Sequence, residues 1–572
     1  MNQPSDYLYL EAVTLGGVID DTEDLSTRRA GGYMLLELVR KVESACAAWL
    51  SPVSVGASQG LFELNHGQSM ADARQAVMAV LAQPLYAQAT VLVADTVADP
   101  GSKSIANGDF SAKREHLYAV IRRRQLNTLG CVTEFGGPPT VTAADKQEFK
   151  QVCEVDGVRP AIERKPLKTA ENRRWHSQSV ARRREDGVRL RQDFYRRELA
   201  TPLHQLEFTD HFDELSSFGE SERGTLRPTL EHKIAVFYVD GDGFGSLARA
   251  CKTAELLTAW DRLVQSQRRK FLAALVELLE NHPHGCKRIC QGDVAKTARL
   301  RVETLMWGGD ELLLVLPAWL GFEVAQLFFD TCKIEWPACS CNVARPDCNC
   351  TPIHRSHSAA LVFAHHNAPI SQLQKLSKTL AEEGKRDGSL CKKKDSLHWI
   401  TLESFDHAGT ALHDDGRAWW LQRGLPTLSW DAMALNPTRI RALLTNLPQV
   451  ADTLPRRNLY RMLDLLPRWA LAQPDEKRLV RLAYDNLHAA TVKRQHRDAW
   501  RVCWQALQAG LDLDWPDLPG LPEEFAKPEH LNAWLMLAEL WDYLLPRLAS
   551  PVPAPDQKEA TADTPTFTQE AA

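Results

Sequence analysis

Periodic apolar residues divide the chain up to residue 405 into two blocks in which strands and helices alternate. In the first block, residues 7–15 alternate apolar and polar positions as a strand does, and residues 28–48 place leucines and valines at helical spacing. A strand-like run over 53–64, a helix over 69–82 and a strand over 89–97 follow. This order predicts a ferredoxin-like or palm-like domain, in which helices pack on one sheet.

The second block shows the same alternation and includes a strand that is apolar throughout. Residues 234–239 (IAVFYV) are typical of a strand buried on both faces. A long helix follows to about residue 280, and Gly308-Gly309 then joins two strands in a tight turn. The remaining predicted elements are these two strands (300–307 and 312–316), a helix over 322–334, a strand over 358–364 and a helix over 370–383. The fold class predicted is therefore α/β (α+β), with two palm-like copies.

Beyond residue 406 the pattern becomes helical and rich in tryptophan. Asn436-Pro437 has the sequence of a helix N-cap followed by proline at the first helical position. Residues 420–548 are predicted to form a helical bundle, and residues 551–572 a disordered tail.

Composition favours a cytoplasmic, multidomain protein. The chain has 572 residues, more than one ordinary domain holds, and no stretch approaches the apolar length of a membrane span. The N-terminus lacks a basic region followed by an apolar core, so we expect no secretion signal. A net charge of −5 excludes a wholly basic nucleic-acid coat. The 13 cysteines, an odd number in a long chain, favour a reducing compartment over a disulfide framework.

Two glycine-rich segments place acids at the ends of predicted strands. Asp240 follows the apolar strand in VDGDGFG, and Asp310 and Glu311 lie beside the paired glycines in WGGDEL. If the strands are neighbours, Asp240 and Asp310 face one another and repel unless divalent cations lie between them. Carboxylates favour Mg²⁺ or Mn²⁺, and two such ions about 3.5–4 Å apart activate a hydroxyl nucleophile and stabilise leaving pyrophosphate. Each segment alone is ordinary turn chemistry, but together they favour a metal-dependent nucleotidyl site.

Longer stretches resemble a known family. FYVDGDGFG (237–245), WGGDELLLVLP (307–317) and HSAALVFAHHNAPISQLQKLSKTLAEEGKR (357–386) are similar to the cyclase/polymerase palm of the large subunit of type III CRISPR effector complexes, a relative of GGDEF nucleotide cyclases. LSTRRAGGYMLLELV (25–39) is similar to the opening of that family's first, inactive palm. The resemblance covers most of the chain from residue 7 to about residue 385. No acidic turn like Gly309-Asp310-Glu311 exists in residues 1–135, in agreement with an inert first copy.

The resemblance implies that ATP is joined into a cyclic oligoadenylate messenger, with release of pyrophosphate, in prokaryotic antiviral defence. Asp240, Asp310 and Glu311 would then be the catalytic residues and the ligands of Mg²⁺ or Mn²⁺, with Glu311 standing where the family often has a second aspartate. Lys385 matches a lysine that binds the triphosphate, although the helix macrodipole also favours an exposed lysine at a helix end. The predicted nucleotide-binding residues are Gly241, Asp242, Phe244, Gly245, Gly308, Gly309 and Lys385. Guide and target RNA and small protein subunits are the implied partners, and no membrane is expected.

The sequence departs from the family in ways that keep other functions open. No histidine–aspartate nuclease domain is predicted before the first palm. Gly245-Ser246-Leu247-Ala248 replaces the asparagine–aspartate pair with which diguanylate cyclases read guanine, so GTP is a less expected substrate. A non-catalytic scaffold of an RNA-guided complex and a stand-alone signalling cyclase are the two alternatives.

Two further segments allow more than one interpretation. Four cysteines could hold a structural Zn²⁺ or be free thiols on a loop: Cys339, Cys341, Cys348 and Cys350. Between residues 164 and 197, 12 basic residues oppose four acids (12 − 4 = +8), which fits either a path for a phosphate backbone or a solvated helix. The segment CEVDGVRPA (153–161) looks like a degraded zinc-binding element in which Asp156 takes a cysteine's place.

Together these features predict five parts. They are an inactive first palm (1–135), a basic linker with the degraded zinc element (136–230), a second palm with a Cys-rich insertion at 332–357 (231–405), a helical C-terminal domain (406–550) and a disordered tail (551–572).

Overall fold

The structure, a computed structural model, describes both predicted palms and parts of the helical C-terminus. The described residues are 5–13, 15–99, 101, 105, 108–127, 152–166, 172–199, 207–291, 294–337, 352–386, 391–402, 434–451, 460, 497–507 and 528–548. The predicted tail and the predicted zinc ligands lie outside them. Among the helices in these ranges, none is long and apolar enough to cross a bilayer.

The first sheet has four antiparallel strands in the order β2-β3-β1-β4. Its elements are β1 (Tyr7–Val13), α1 (Leu25–Ala45), β2 (Leu50–Val55), β3 (Gln59–Leu64), α2 (Met70–Leu81) and β4 (Thr90–Asp95), and α3 (Phe110–Asn127) follows them. This chain order and strand order form a ferredoxin-like unit, as predicted. The prediction of one strand over 53–64 is wrong, because a turn at Gly56-Ala57-Ser58 divides the run into β2 and β3.

In the sequence, five elements lie between the two palms: β5 (Glu163–Pro166), β6 (Arg173–His176), α4 (Gln178–Leu199), β7 (Glu207–Phe208) and α5 (Phe212–Ser216). The first three contain most of the basic segment, and its helix α4 packs against the first palm. Helix α4 crosses α1 so closely that a Cβ at Gly187 would lie 2.9 Å from the Cβ of Ala30. Arg183 pairs with Asp21, whereas the more exposed Arg189 pairs with acids on its own helix. Much of the segment's positive charge is therefore balanced within the protein, and RNA binding by it stays a prediction.

Asp156 holds the turn that resembles a degraded zinc element. Its Oδ1 accepts hydrogen bonds of 3.0 Å from the backbone N–H groups of Val158 and Arg159. Its Oδ2 accepts one of 2.7 Å from the hydroxyl of Ser177. Protein donors thus satisfy this carboxylate, and they lower its pKa against the effect of burial, which raises it.

The second sheet has five strands in the order β11-β12-β8-β15-β16. The elements of this part are β8 (Lys233–Gly241), α6 (Phe244–Ala250), α7 (Ala254–Asn281), β9 (Cys286–Gln291), β10 (Val294–Leu300), β11 (Glu303–Trp307), β12 (Glu311–Pro317), α8 (Gly321–Thr331), β13 (Ile334–Pro337), β14 (Pro352–Arg355), β15 (His357–His365), α9 (Ile370–Glu383) and β16 (Ser396–Thr401). The order β11-β12-β8-β15 repeats the order of the first sheet, so the chain contains two ferredoxin-like copies. Strand β16 extends the second copy by pairing parallel to β15 after the α9 crossover.

The central strand β8 is buried on both faces, as its apolar run predicts. Residues 234–239 are at most 3% exposed. The long helix predicted after it is divided in the structure, because the chain leaves helical geometry at Cys251 and begins α7 at Thr253, whose hydroxyl accepts from the N–H of Leu256. Sequence reasoning also missed β9, β10 and β16.

Three described helices represent the C-terminal part: α10 (Pro437–Val450), α11 (Arg497–Leu507) and α12 (Pro528–Leu544). Helix α10 begins at the predicted cap, where Oδ1 of Asn436 accepts a 2.9 Å hydrogen bond from the N–H of Arg439. Helix α12 packs on the second palm, and Tyr543 stacks on Phe363 of β15 with ring centroids 4.0 Å apart. The helical character of this part agrees with the prediction, while the limits of the domains stay predictions.

A buried ion pair joins the two palms. Arg29 of α1 approaches Glu303 of β11, with 2.7 Å between Nη1 and Oε2, and Arg191 of α4 lies 3.5 Å from the same oxygen. All three side chains are less than 5% exposed. A buried charge that lost its partner would stay desolvated without compensation, so separating these residues is costly. The ion pair therefore favours the observed arrangement of the two palms.

We expect Glu303→Gln to destabilise the protein strongly. The substitution leaves the buried guanidinium of Arg29 without a carboxylate and that of Arg191 with only Asp210, 3.8 Å away, which lowers the free energy of unfolding by about 3–5 kcal/mol. Thermal and denaturant unfolding followed by circular dichroism measure the change. The control is Glu185→Gln, since Glu185 is 60% exposed and pairs only with a neighbour on its own helix; it changes stability by no more than about 0.5 kcal/mol. Equal effects of the two substitutions would contradict the assignment.

Candidate active site

The structure brings the two acidic segments together at one end of the second sheet. Strands β8 and β12 are antiparallel neighbours, and Asp240 lies directly opposite Glu311. Beyond this pair, the N–H of Gly241 donates a 3.1 Å hydrogen bond to the carbonyl of Asp310. Three carboxylates therefore project from two adjacent strand ends.

Glycines make both turns sterically feasible. The N–H of Gly308 donates to the carbonyl of Glu311 at 2.8 Å and closes the turn that presents Asp310. A Cβ at Gly241 would lie 2.5 Å from the ring of Phe244, which is closer than any side chain allows. Gly243 has φ = 73° and initiates α6 from the left-handed region, where glycine is favoured.

Two lysines partly balance these acids. Nζ of Lys385 lies 2.6 Å from Oδ2 of Asp240 and donates a 3.2 Å hydrogen bond to the carbonyl of Gly241. Nζ of Lys378 lies 3.6 Å from Oε2 of Glu311. Within the described part of the chain, the Asp310 side chain makes no hydrogen bond or ion pair, so one carboxylate of the three lacks a counter-charge. Lys385 lies in the turn just after α9 and is only 25% exposed, so it is not simply a solvated helix-end lysine.

Burial, aided by the nearby Asp310 and Glu311 and opposed by Lys385, raises the pKa of Asp240 to about 6. The pKa of the Tyr238 hydroxyl is also raised, first by burial and then by Glu311. The charged form of Asp240 is thus unfavourable in the folded protein unless a cation is near.

A buried arginine supports the turn from behind. Arg268 of α7 is 2% exposed, and its Nη1 donates a 2.8 Å hydrogen bond to the carbonyl of Glu311. Burial lowers its pKa, whereas Asp310 and Asp240 act in the opposite direction. Its guanidinium therefore fixes the backbone of the acidic turn and leaves the carboxylates open.

Not every residue of the predicted set faces this centre. The carboxylate of Asp242 turns towards β15, where it accepts hydrogen bonds from the hydroxyls of Ser356 (2.6 Å) and Ser358 (2.8 Å). The ring of Phe244 is buried against Trp260, with centroids 5.1 Å apart. These contacts hold both side chains in place, and Oδ1 of Asp242 also lies 3.7 Å from Nζ of Lys385.

A cavity of about 420 Å³ lies against the acidic turn, between the two palms. Six of the predicted site residues line it: Phe244, Gly245, Gly308, Gly309, Asp310 and Glu311. One wall is apolar and includes Leu257 and Trp260, and Lys378 contributes a positive charge. Gly241, Asp240, Asp242 and Lys385 are not among its lining residues.

The first palm presents a matching turn to the same cavity. The N–H of Gly56 donates to the carbonyl of Gln59 at 2.8 Å, and the N–H of Ala12 to that of Ser58 at 2.7 Å. These two bonds reproduce those of Gly308 and Gly241 in the second palm. The segment Gly56-Ala57-Ser58-Gln59 therefore corresponds to Gly308-Gly309-Asp310-Glu311, with both acids replaced.

The sequence analysis did not predict this correspondence. The available signal is Gly56, which precedes Ser58 by two residues as Gly308 precedes Asp310. Sequence reasoning also missed Lys378 and Arg268, which have no motif of their own.

The second palm's donor set fits hard divalent cations. Asp240, Asp310 and Glu311 offer carboxylate oxygens, which suit Mg²⁺ or Mn²⁺, and their excess negative charge favours a cation. The predicted zinc ligands Cys339, Cys341, Cys348 and Cys350 lie outside the described residues.

No protein-family model and no curated protein matches this chain. Solved structures similar to it include Csm1 of T.onnurineus, with 13% identity, a TM-score of 0.41, and coverage of 95% of this chain and 69% of that one. A Csm1–Csm4 cassette in complex with cA4 gives the same identity and TM-score, over 95% and 70% of the two chains. A Csm1–Csm4 subcomplex of the type III-A CRISPR-Csm interference complex follows at 11% identity, a TM-score of 0.40, and 94% and 70% coverage.

These neighbours are proteins of the kind that the motifs resemble.

The raised pKa of Asp240 predicts a pH-dependent effect of Asp240→Asn. In wild type, ionisation of Asp240 lowers the free energy of unfolding. This loss is absent below 3.8, the ordinary pKa of an aspartate, and complete above about 6. Without added divalent ions, the melting temperature of the variant minus that of wild type therefore becomes more positive from about pH 4 to about pH 7.5.

Scanning calorimetry over this pH range measures the difference. The matched control is Glu382→Gln, an exposed acid on α9, whose difference from wild type stays flat. A flat profile for Asp240→Asn as well would show that its carboxylate is not perturbed.

Proposed function

We propose that this chain is a metal-dependent nucleotidyltransferase that joins ATP into a cyclic oligoadenylate and releases pyrophosphate, as part of a type III CRISPR-like antiviral system. The observation that carries the proposal is the meeting of Asp240, Asp310 and Glu311 on two adjacent strand ends, beside a cavity and two lysines. Structural carboxylates are normally paired, whereas this group keeps an excess of negative charge.

Asp240, Asp310 and Glu311 are the residues that would hold Mg²⁺ or Mn²⁺. Such ions supply activation of an attacking ribose hydroxyl and stabilisation of the leaving pyrophosphate. In the reaction, the ribose hydroxyl of one ATP would lose its proton to solvent, and its oxygen would form a bond to the α-phosphorus of a second ATP. The bond from that phosphorus to the oxygen that bridges to the β-phosphate would break, and pyrophosphate would leave.

The chain's own residues position the substrate. Lys385 and Lys378 flank the acids, and an ammonium group at each place can neutralise phosphate oxygens. The cavity volume falls within the range of ligand sites, about 300–1,000 Å³, and its apolar wall at Trp260 suits a base. Arg268 keeps the turn in place because it holds the carbonyl of Glu311 rather than a carboxylate.

The choice of ATP follows from the motif resemblance. Gly245-Ser246-Leu247-Ala248 lacks the pair that reads guanine in diguanylate cyclases. Csm1–Csm4 cassettes are known in complex with one ATP, with cA3 and with cA4, so ATP is the first triphosphate to offer this chain.

We expect Asp310→Ala to abolish conversion of ATP. Wild-type protein with Mn²⁺ or Mg²⁺, in the presence of guide and target RNA, is expected to form cyclic oligoadenylate, detected by mass spectrometry with each nucleoside triphosphate in turn. The variant loses at least about 100-fold in rate, the scale on which one group that stabilises developing charge acts. The control is Glu280→Ala, an exposed acid at the end of α7, which keeps the wild-type rate.

Other outcomes select the alternatives. If ATP remains intact under every RNA condition while small subunits and guide RNA copurify, the chain is a scaffold and the enzymatic proposal fails. If RNA-free protein forms the product alone, it is a stand-alone signalling cyclase.

A further inference from the structure

A second group of ligand side chains lies at the opposite end of the strands that carry the acids. Asp213 belongs to α5, His232 immediately precedes β8, and His366 immediately follows β15. In the antiparallel pair of β8 and β15, Lys233 lies opposite His365, whereas Gly241 lies opposite His357. Asp240 lies eight positions after His232 along the strand, roughly 26 Å at about 3.3 Å per residue. The group is therefore distinct from the candidate active site.

The ligand atoms are spaced as a single metal ion requires. Oδ1 of Asp213 lies 3.0 Å from Nδ1 of His232 and 3.7 Å from Nε2 of His366. One ligand atom from each of the three residues lies within 4.8 Å of the other two. Ligands of one tetrahedral ion with bonds of about 2.0–2.2 Å are roughly 3.3–3.5 Å apart, so the two measured distances bracket the expected one.

The backbone holds these residues together independently of any ion. The N–H of His232 donates a 3.1 Å hydrogen bond to the carbonyl of Ser216 at the end of α5. Its carbonyl accepts a 2.9 Å hydrogen bond from the N–H of His366. His232 thus links the two elements that supply the other ligands.

His232 adopts a backbone conformation that its side chain does not favour. Its φ is 63°, and in the described part of the chain the other non-glycine residue with positive φ is Lys393. Such a conformation is uncommon in residues other than glycine and persists where the surroundings impose it, often at functional sites. The conformation brings the imidazole of His232 to Asp213.

The close approach to Asp213 does not satisfy the imidazole. Nδ1 of His232 is shielded from solvent, and its 3.0 Å contact with Asp213 lacks hydrogen-bond geometry, so the atom has no hydrogen-bond partner among the described residues. An imidazole nitrogen and a carboxylate oxygen that are close but not bonded to each other can both bind a third atom.

We propose that Asp213, His232 and His366 bind one transition-metal ion. Two imidazoles and one carboxylate form a donor set that suits Zn²⁺, Co²⁺ or Ni²⁺ better than the hard Mg²⁺, and water completes the coordination. The ion connects α5 to the ends of β8 and β15, and it differs from the active-site cations in both ligand type and place.

Cobalt titration of the full chain tests the proposal. Addition of Co²⁺ to metal-free wild type is expected to produce visible ligand-field bands that saturate at one ion per chain and lack the intense near-ultraviolet charge-transfer absorption of thiolate ligands. Cobalt bound by the cysteines at 339–350 would show this charge-transfer absorption, so its absence distinguishes the proposed site from a cysteine site.

Three variants complete the test. Asp213→Asn and His366→Ala each remove a ligand, and His232→Asn does so with a residue that tolerates positive φ and so preserves the fold. Each is expected to weaken Co²⁺ binding at least about tenfold, since even residues that only orient a metal ligand contribute 10–100-fold. His66→Ala, an exposed histidine of the first palm, serves as the control and binds as wild type does.

Wild type without ligand-field bands, or ligand variants that bind Co²⁺ as tightly as wild type, would overturn the proposal. One equivalent of Zn²⁺ is also expected to raise the melting temperature of wild type and not that of the ligand variants. Neither readout involves ATP, so failure here is distinguishable from failure of the proposed nucleotidyl transfer.

Discussion

The backbone pairing of β8 with β12 is the constraint on which the candidate site depends. Carboxylates repel one another, so they stay at adjacent strand ends only because something else fixes the strands. Here the register places Asp240 opposite Glu311, while an apolar strand buried on both faces anchors β8 in the core. Arg268 adds a hydrogen bond to the carbonyl of Glu311. The electrostatic cost of the site is therefore offset by burial and backbone hydrogen bonds elsewhere.

The first palm has the same backbone scaffold without the three clustered carboxylates of the second. Glu11 in β1 lies opposite Gln59, at the register position of Asp240 and Glu311. Glu11 accepts hydrogen bonds from the hydroxyl of Tyr9 at 3.0 Å and from Arg122 at 2.7 Å, much as Asp240 pairs with Lys385. The first palm keeps the turn geometry, but its turn carries no acid, and the acid at the register position of Asp240 pairs with an exposed arginine.

The sequence was sufficient for features with strong local signals. The apolar run before Asp240 and the glycine pair before Asp310 predicted acids at two strand ends, which the structure shows to be neighbours, and the helix predicted over 370–383 has the bounds of α9. The β2–β3 turn was missed because Gly56-Ala57-Ser58 interrupts an apolar run without proline or charge.

Other features depend on contacts between distant parts of the chain. Lys378 and Arg268 reach the site from helices whose own periodicity only predicts packing, and Asp213, His232 and His366 meet through tertiary contacts across more than 150 residues. Asp242 shows the reverse, since a residue within the motif is bound by the hydroxyls of Ser356, just before β15, and Ser358 of β15, and it lies 3.7 Å from Lys385.

The contact between Lys385 and Asp240 has a consequence for how the site fills. If the chain acts as proposed, a divalent cation enters at the position beside Asp240 that the ammonium of Lys385 already occupies. Loading would then be an exchange of ions, in which Lys385 releases Asp240 as phosphate oxygens arrive to accept its charge. A cation alone would have to displace Lys385, and a nucleotide alone would face the acids, so such a site would favour the entry of both together.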